Sequence, residues 1–111
     1  MFDPIISLNV HIALLTARDQ ALKPFEESKG LVKEFARIVG QTIQHELEKS
    51  RQNMKHNKMW VDDVPVRERR YRYAHLGHRS EYEISRDDLR QHLGIVLRSL
   101  EYKIEQTSIT K

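Results

Sequence analysis

The sequence predicts an α+β fold that is mainly helical, in which an antiparallel β-hairpin lies between helices two and three of three helices (α-α-β-β-α). Three segments place apolar residues at alternating three- and four-residue steps, the period of an amphipathic helix. Before the last of them, one segment alternates apolar and polar residues around a glycine, which is typical of two paired strands. Polar residues that favour helix N-termini precede the first and third helical segments. These observations predict a single domain over residues 1–111.

The composition excludes several classes of protein. The 111 residues are 39% hydrophobic and 32% charged, with clear periodicity, so the chain is not of the disordered class. The absence of cysteine excludes disulfide bonds, thiolate zinc sites and cysteine nucleophiles. The apolar N-terminal run carries Asp3 where a signal peptide needs positive charge, and it is too short to span a bilayer. We therefore expect a cytoplasmic protein without a membrane partner.

The first helix is predicted over residues 3–22. Asp3 can cap it, and the following Pro4 lacks the N–H that would otherwise be unpaired at a helix start. His11 is among the few residues of this helix that we expect to face outward. A strand over residues 5–13 is the alternative, because apolar and polar residues also alternate there.

The first helix is apolar around most of its circumference, as in a helix that is central in a core or forms half of an interface. Two further helices and one hairpin can cover only part of such a surface, which predicts a homodimer. The predicted oligomer interface consists of Ile5, Leu8, Ile12 and Leu15.

The second helix is predicted over residues 29–52, with Ser28 as its cap. Its apolar stripe consists of Leu31, Phe35, Ile38, Val39, Thr42, Ile43 and Leu47. The polar last turns are expected to project or fray. Residues 53–66 have no consistent period and contain Pro65, which is not compatible with a central strand position. They are predicted as a connection that Trp60 anchors to the core.

The hairpin is predicted over residues 67–84. The expected pairs are Tyr73 with Tyr82 and Tyr71 with Ile84 on one face, and Arg72 with Glu83 and Ala74 with Glu81 on the other. Residues 76–79 then form a four-residue turn, in which Gly77 supplies the positive φ. An apolar face of tyrosines and a polar face of ion pairs are typical of a half-buried antiparallel ribbon.

The third helix is predicted over residues 86–106, and residues 107–111 are predicted to be a frayed tail. Ser85 is expected to cap this helix, and Asp87 and Asp88 stabilise the positive end of its dipole. The apolar stripe consists of Leu89, Leu93, Val96, Leu97, Leu100 and Ile104.

The basic residues are unevenly distributed. Residues 55–79 hold seven lysines and arginines against three acids, a charge of +4, while the remaining twelve bases and thirteen acids give −1. This excess indicates an anionic macromolecular partner, either nucleic acid or an acidic protein surface. The predicted contact residues are Lys55, Lys58, Arg67, Arg69, Arg70, Arg72 and Arg79. The alternative is a protein-interaction module that uses the apolar face of the first helix, with arginines that only solubilise the chain.

An enzymatic role has little support in the sequence. No glycine-rich phosphate loop, nucleophile elbow or cofactor fingerprint is present, so we expect a non-enzymatic regulatory protein without cofactors. His75 and His78 have a spacing that two metal ligands could share, with Asp62, Asp63 or His56 as further ligands. No third ligand is defined, and the pattern matches no zinc template, so no metal site is predicted.

Overall fold

A computed structural model of the chain describes residues 2–22 and 31–109, which form three helices and one three-stranded antiparallel sheet. The elements are α1 (Pro4–Leu22), α2 (Leu31–His56), β1 (Met59–Val61), β2 (Arg70–His75), β3 (His78–Glu83) and α3 (Arg86–Ile109). The mainly helical α+β class is confirmed, but the order is α-α-β-β-β-α, because a third strand lies in the predicted connection. Ser28, the predicted start at residue 29 and the last two residues of the predicted tail lie outside the described residues.

The first element is a helix, so the strand alternative for residues 5–13 is wrong. Asp3 Oδ1 accepts hydrogen bonds from the N–H groups of Ile5 at 3.0 Å and Ile6 at 3.1 Å, which confirms the predicted cap. The helix packs against both α2 and α3. It is therefore the central helix of the domain, and its apolar circumference is largely covered within one chain.

The core surrounds α1. The buried apolar side chains that the other elements contribute are Val39, Ile43, Leu47, Met54, Met59, Val61, Tyr71, Ile84, Val96 and Leu100. Full burial of an aliphatic side chain of this size stabilises the folded state by about 1.5–3 kcal/mol. Met54 continues the stripe of α2 seven residues after Leu47 and is buried, so the helix ends at His56. The prediction that the last turns of this helix fray is wrong for this reason.

The third strand, β1, was not predicted from the sequence. Met59 and Val61 are buried, and Trp60 between them is 57% exposed, which is the alternation of a strand with one face on the core. Three residues are too few for a periodicity signal, and Pro65 lies beyond the strand. The prediction that Trp60 anchors the connection to the core is wrong, because the neighbours of Trp60 perform that role.

The strands β2 and β3 pair in a register that differs from the predicted one by two residues. Tyr71 pairs with Tyr82 and Arg72 with Glu81, and the turn consists of Leu76 and Gly77 alone. Leu76 has φ 53° and Gly77 has φ 84°, as in the two-residue turns whose twist matches that of the strands. Because a shift of two residues preserves the faces, the predicted division into an apolar and a charged face still applies.

The third helix begins as predicted, since Ser85 Oγ accepts a hydrogen bond from the N–H of Asp88 at 3.0 Å. It continues to Ile109, so residues 107–109 of the predicted tail are helical. Leu97 is 42% exposed, although it belongs to the predicted stripe, because α3 contacts the core mainly through Val96 and Leu100. The part of the chain that the structure describes contains no helix that could cross a membrane.

Candidate functional site

The candidate site is the face of the sheet that points away from α1, which we call the outer face. Trp60 on β1 lies opposite Ala74 on β2, which in turn lies opposite Arg79 on β3. The other members of this face, two or four residues away along the strands, are Asp62, Arg70, Arg72, Glu81 and Glu83. Alternation along each strand puts the apolar side chains on the opposite, inner face, where they pack on the core.

The tyrosines belong to the inner face and are not available to a partner. Tyr71 is buried, and the Tyr82 hydroxyl donates a hydrogen bond of 2.6 Å to Oδ1 of Asn9 on α1. Burial raises the pKa of both phenols above the ordinary value for tyrosine. The Arg-Tyr alternation of β2 therefore separates two functions: its tyrosines face the core and its arginines face outward, while Tyr82 on β3 joins the sheet to α1.

Two of the predicted contact arginines stabilise the sheet itself. Nε of Arg70 donates to Glu81 at 2.6 Å, and its Nη1 lies 3.7 Å from Glu83, so it bridges β2 to β3. Nη1 of Arg69 donates to the carbonyl of Ile84 at 2.9 Å, and Arg69 has φ 65°. Both guanidinium groups are already bound within the chain, so neither is primarily a contact for a partner.

The other five predicted contact residues are exposed: Lys55, Lys58, Arg67, Arg72 and Arg79. Among the residues that the structure describes, their side chains form no ion pair or hydrogen bond. Arg70 lowers the pKa of Glu81 by its hydrogen bond, and the charges of Arg72 and Arg67 lower it further. Three arginines thus act on this one carboxylate, and only Arg70 of the three is bound to it.

Trp60 and two of these free arginines line one concavity on the outer face. Its volume is ≈ 640 Å³, and Arg72, Ala74, Arg79 and Glu81 are among its walls. Volumes in this range are those of small-ligand sites in proteins. The structure thus brings Arg72 and Arg79 together with an exposed aromatic ring, which the sequence had placed in the core.

A polar network inside the molecule connects α1, α2 and the segment after β1. His11 is fully buried; its Nδ1 lies 2.8 Å from Ser50 Oγ, and its Nε2 lies 2.9 Å from Asp63 Oδ1. The other carboxylate oxygen of Asp63 accepts a hydrogen bond from Arg51. A carboxylate only accepts, so Nε2 of His11 carries the proton and Nδ1 accepts the serine hydroxyl hydrogen. Every ring nitrogen of this buried histidine is therefore satisfied.

The pKa shifts in this network follow from burial and hydrogen bonding. Burial lowers the pKa of His11 below its ordinary value and outweighs the opposite effect of Asp63. Burial alone would raise the pKa of Asp63, but the hydrogen bonds from His11 and Arg51 outweigh it, and the pKa falls. At neutral pH the histidine is thus neutral and the aspartate ionised.

Serine, histidine and aspartate are the residue types of a nucleophilic triad, but this arrangement lacks the other parts of such a site. His11 has no exposed surface, so a substrate cannot approach the ring. Ser50 lies within α2, where backbone N–H groups are bound to preceding carbonyls and cannot stabilise an oxyanion. The network is consequently a structural connection between three segments.

The prediction that His11 faces outward is wrong. Its spacing along the helix already indicated burial, because His11 lies three residues after Leu8 and four before Leu15, on the same buried row. Of the predicted oligomer interface, Leu8, Ile12 and Leu15 are buried within one chain, whereas Ile5 is 47% exposed. The neighbouring Ile6 is 54% exposed. A contact between copies through the apolar residues of the predicted interface on α1 would use Ile5 and the neighbouring Ile6.

The histidines that the sequence placed near a turn lie at its base. His75 pairs with His78 across β2 and β3, and the ring centroid of His75 is 5.9 Å from that of Phe2. Within residues 2–22 and 31–109, no group of three or more histidine, cysteine, aspartate or glutamate side chains could hold a metal ion.

Comparisons of the chain with protein-family models, with curated proteins and with solved structures find no match. Any statement about function therefore depends on the geometry and charge of the chain itself.

Proposed function

We propose that this protein is a non-enzymatic accessory or regulatory protein that binds a macromolecular partner, either nucleic acid or an acidic protein surface, through the outer face of its sheet. The observation that supports this proposal is the pair of free arginines, Arg72 and Arg79, beside the exposed ring of Trp60. The cytoplasmic location expected from the sequence belongs to the same proposal.

The unpaired arginines of the outer face favour an anionic partner. This face carries three arginines and three acids, but Asp62 Oδ1 accepts a hydrogen bond from the N–H of Val64, and Arg70 is bound to Glu81 and lies 3.7 Å from Glu83. Each acid therefore has a partner, whereas Arg72 and Arg79 form no ion pair with the residues that the structure describes. A guanidinium group without a partner can form two parallel hydrogen bonds to a phosphate or carboxylate. Because Arg72 and Arg79 project from paired strands, a partner would meet side chains whose backbone is already ordered.

The test of this proposal is a double charge reversal, Arg72→Glu with Arg79→Glu. The matched control is Arg90→Glu with Arg98→Glu, because these arginines are exposed on α3 and the change in net charge is the same. Binding to labelled single-stranded and duplex nucleic acid and to polyglutamate would be measured by fluorescence anisotropy at several salt concentrations.

We expect the wild-type protein to bind at least one of these polyanions with a Kd of roughly 1–100 μM, weakening as salt increases. The reversal on the sheet should lower the affinity at least about tenfold and, for nucleic acid, reduce the salt slope by about 2. The control should retain most of the affinity. Equal losses in both variants, or no binding by the wild-type protein even at low salt, would refute the proposal.

Self-association through the start of α1 is the second candidate function, and the exposure of Ile5 and Ile6 favours it. Two adjacent apolar side chains at the end of the central helix are a small surface that a second copy could cover. In this case the protein is a homodimer, and Ile5→Asp with Ile6→Asp yields a monomer in sedimentation analysis. Leu97→Asp, at an exposed leucine of α3, is the control and should leave the mass unchanged.

A further inference from the structure

Trp60 lies in an open position on a rigid surface. Its strand neighbours Met59 and Val61 are buried and hold β1 on the core, while the indole itself is more than half exposed. The residue directly opposite is Ala74, whose methyl group is too small to cover an indole. Exposing a tryptophan costs the stabilisation that its burial would provide, and a solvent-exposed aromatic ring on a strand is a common contact with a partner.

The free arginines both lie on the side of this ring where β2 and β3 are, at two different positions. Arg79 lies beyond Ala74 on the third strand, so the small alanine forms a floor between the indole and the guanidinium group. Arg72 lies two residues from Ala74 on the same face of β2. Diagonal neighbours on a sheet are about 7–8 Å apart. An object that occupied the concavity would therefore meet a flat ring on one side and the two arginines on the other, with Asp62 and Glu81 also among the walls.

The position of the arginines on the sheet favours single-stranded over double-stranded nucleic acid. A ribbon that enters a groove of a duplex must present basic or polar residues at its tip, but the tip between β2 and β3 is Leu76 and Gly77. The arginines and the indole instead lie on the flat of the sheet. In a duplex the faces of the bases are covered by their neighbours, so an indole can stack only on an unpaired base.

We propose that the outer face of the sheet binds single-stranded nucleic acid, with one unpaired base stacked on Trp60 and the adjoining phosphates bound by Arg72 and Arg79. This inference rests on the proposed function and names the partner class of the same surface. Stacking on an aromatic ring is tolerant of sequence, because every base has a π-face. The interaction is therefore expected to depend on the presence of bases and only weakly on which bases are present.

An acidic peptide is the competing partner, and the outer face fits it less well. It would satisfy Arg72 and Arg79, but carboxylate side chains offer no flat surface for the exposed indole of Trp60. A nucleotide supplies both a flat base and an anionic phosphate within one repeating unit. The arrangement of one ring beside two arginines matches that combination.

Trp60 also provides the measurement, because it is the only tryptophan of the chain and its fluorescence reports directly on the proposed contact. The full chain would be titrated with a short oligothymidylate, an abasic strand of the same length, a duplex of the same length and polyglutamate. Trp60→Ala is the test variant, and Trp60→Phe should retain part of the affinity that Trp60→Ala loses. Because both variants lack the tryptophan, their affinities are measured by the fluorescence anisotropy of labelled strands. Tyr102→Ala removes an aromatic side chain of similar exposure from α3 and is the matched control.

The expected result is that oligothymidylate quenches Trp60 and binds at least about fivefold more tightly than the abasic strand and the duplex. Trp60→Ala should remove that preference, with the affinity for the abasic strand unchanged, and Tyr102→Ala should behave as the wild type. Equal affinity for base-containing and abasic strands without quenching would overturn stacking and leave the proposed function standing. Binding of polyglutamate alone would likewise overturn the inference in favour of an acidic protein partner. Failure to bind any of the four would overturn both.

Discussion

Replacement of His11 by alanine is expected to destabilise the fold far more than its polar character suggests. The ring is fully buried and joins α1 to Ser50 on α2 and to Asp63 after β1. In the variant both partners lose their hydrogen bond to the histidine. Asp63 keeps the hydrogen bond from Arg51, so its charge is not left without a partner.

The magnitude follows from the two hydrogen bonds. A bond to a charged acceptor such as Asp63 contributes about 1.5–3 kcal/mol, and a neutral bond such as that of Ser50 about 0.5–1.5 kcal/mol. We therefore expect His11→Ala to lower the free energy of unfolding by about 2–4 kcal/mol. For a domain of this size each kcal/mol corresponds to roughly 4–8 °C, so Tm should fall by about 8–32 °C.

Urea denaturation followed by circular dichroism measures this loss, with Thr16→Ala as the control on the same helix. Thr16 Oγ1 donates only to the carbonyl of Ile12, one turn earlier, at 2.9 Å, so its removal should cost less than about 1 kcal/mol. A loss of less than about 1 kcal/mol for His11→Ala, equal to that of the control, would refute the network as a stabilising connection.

Three further predictions concern pH, the contact between the sheet and α1, and the turn. Because burial lowers the folded-state pKa of His11 below 6.5, the unfolded state binds more protons just below that pH. The stabilisation that depends on neutral His11 should be complete above pH 6.5, and the free energy of unfolding should fall as the pH drops from the unfolded-state pKa of His11 to its folded-state pKa. Urea denaturation at a series of pH values measures this fall. His11→Gln should make the free energy of unfolding depend less on pH. Tyr82→Phe leaves the buried Asn9 without its donor and should cost about 1–2 kcal/mol in urea denaturation, whereas an unchanged midpoint would contradict the hydrogen bond. Leu76→Asn places a residue that tolerates positive φ in the turn and should raise the unfolding free energy by about 0.5–1 kcal/mol; a decrease in Tm would contradict strain at this position.

Much of the helical structure could be predicted from local chemistry. The caps at Asp3 and Ser85 act within their own first turns, so no knowledge of the rest of the chain is needed to recognise them. Periodicity over many residues identifies the three helices for the same reason. The end of α2 was placed too early, because the polar residues around Met54 conceal a stripe that continues only through that one side chain.

The strands could be predicted less well. The alternation of apolar and polar residues showed which face of β2 and β3 each side chain belongs to. A register shifted by two residues preserves these faces, so only the turn geometry selects between the predicted and the observed register. Strand β1 offers three residues, too few for a period, and it exists because β2 provides an edge and α2 a surface on which Met59 and Val61 are buried.

The candidate site, too, could be predicted only in part from the sequence. The excess of basic residues was visible in the sequence, and so was the presence of an aromatic residue nearby. Which arginines are free was not visible, because the register places Glu81 directly opposite Arg72, yet this carboxylate is bound by Arg70, its diagonal neighbour on β2. The position of Trp60 depends on the pairing of β1, which brings together residues far apart in the chain.

Local sequence patterns specify the helices, their caps, the two faces of the β2–β3 pair and the location of the positive charge, because each depends on residues close to one another along the chain. Tertiary contacts decide the third strand, the burial of His11 and the exposure of Trp60, whereas the register follows from the turn between β2 and β3. His11 needs Asp63, which is distant in sequence, and Trp60 faces outward because its two neighbours are buried on the core. Local patterns indicate which residues can be buried, but tertiary packing decides which of them are buried.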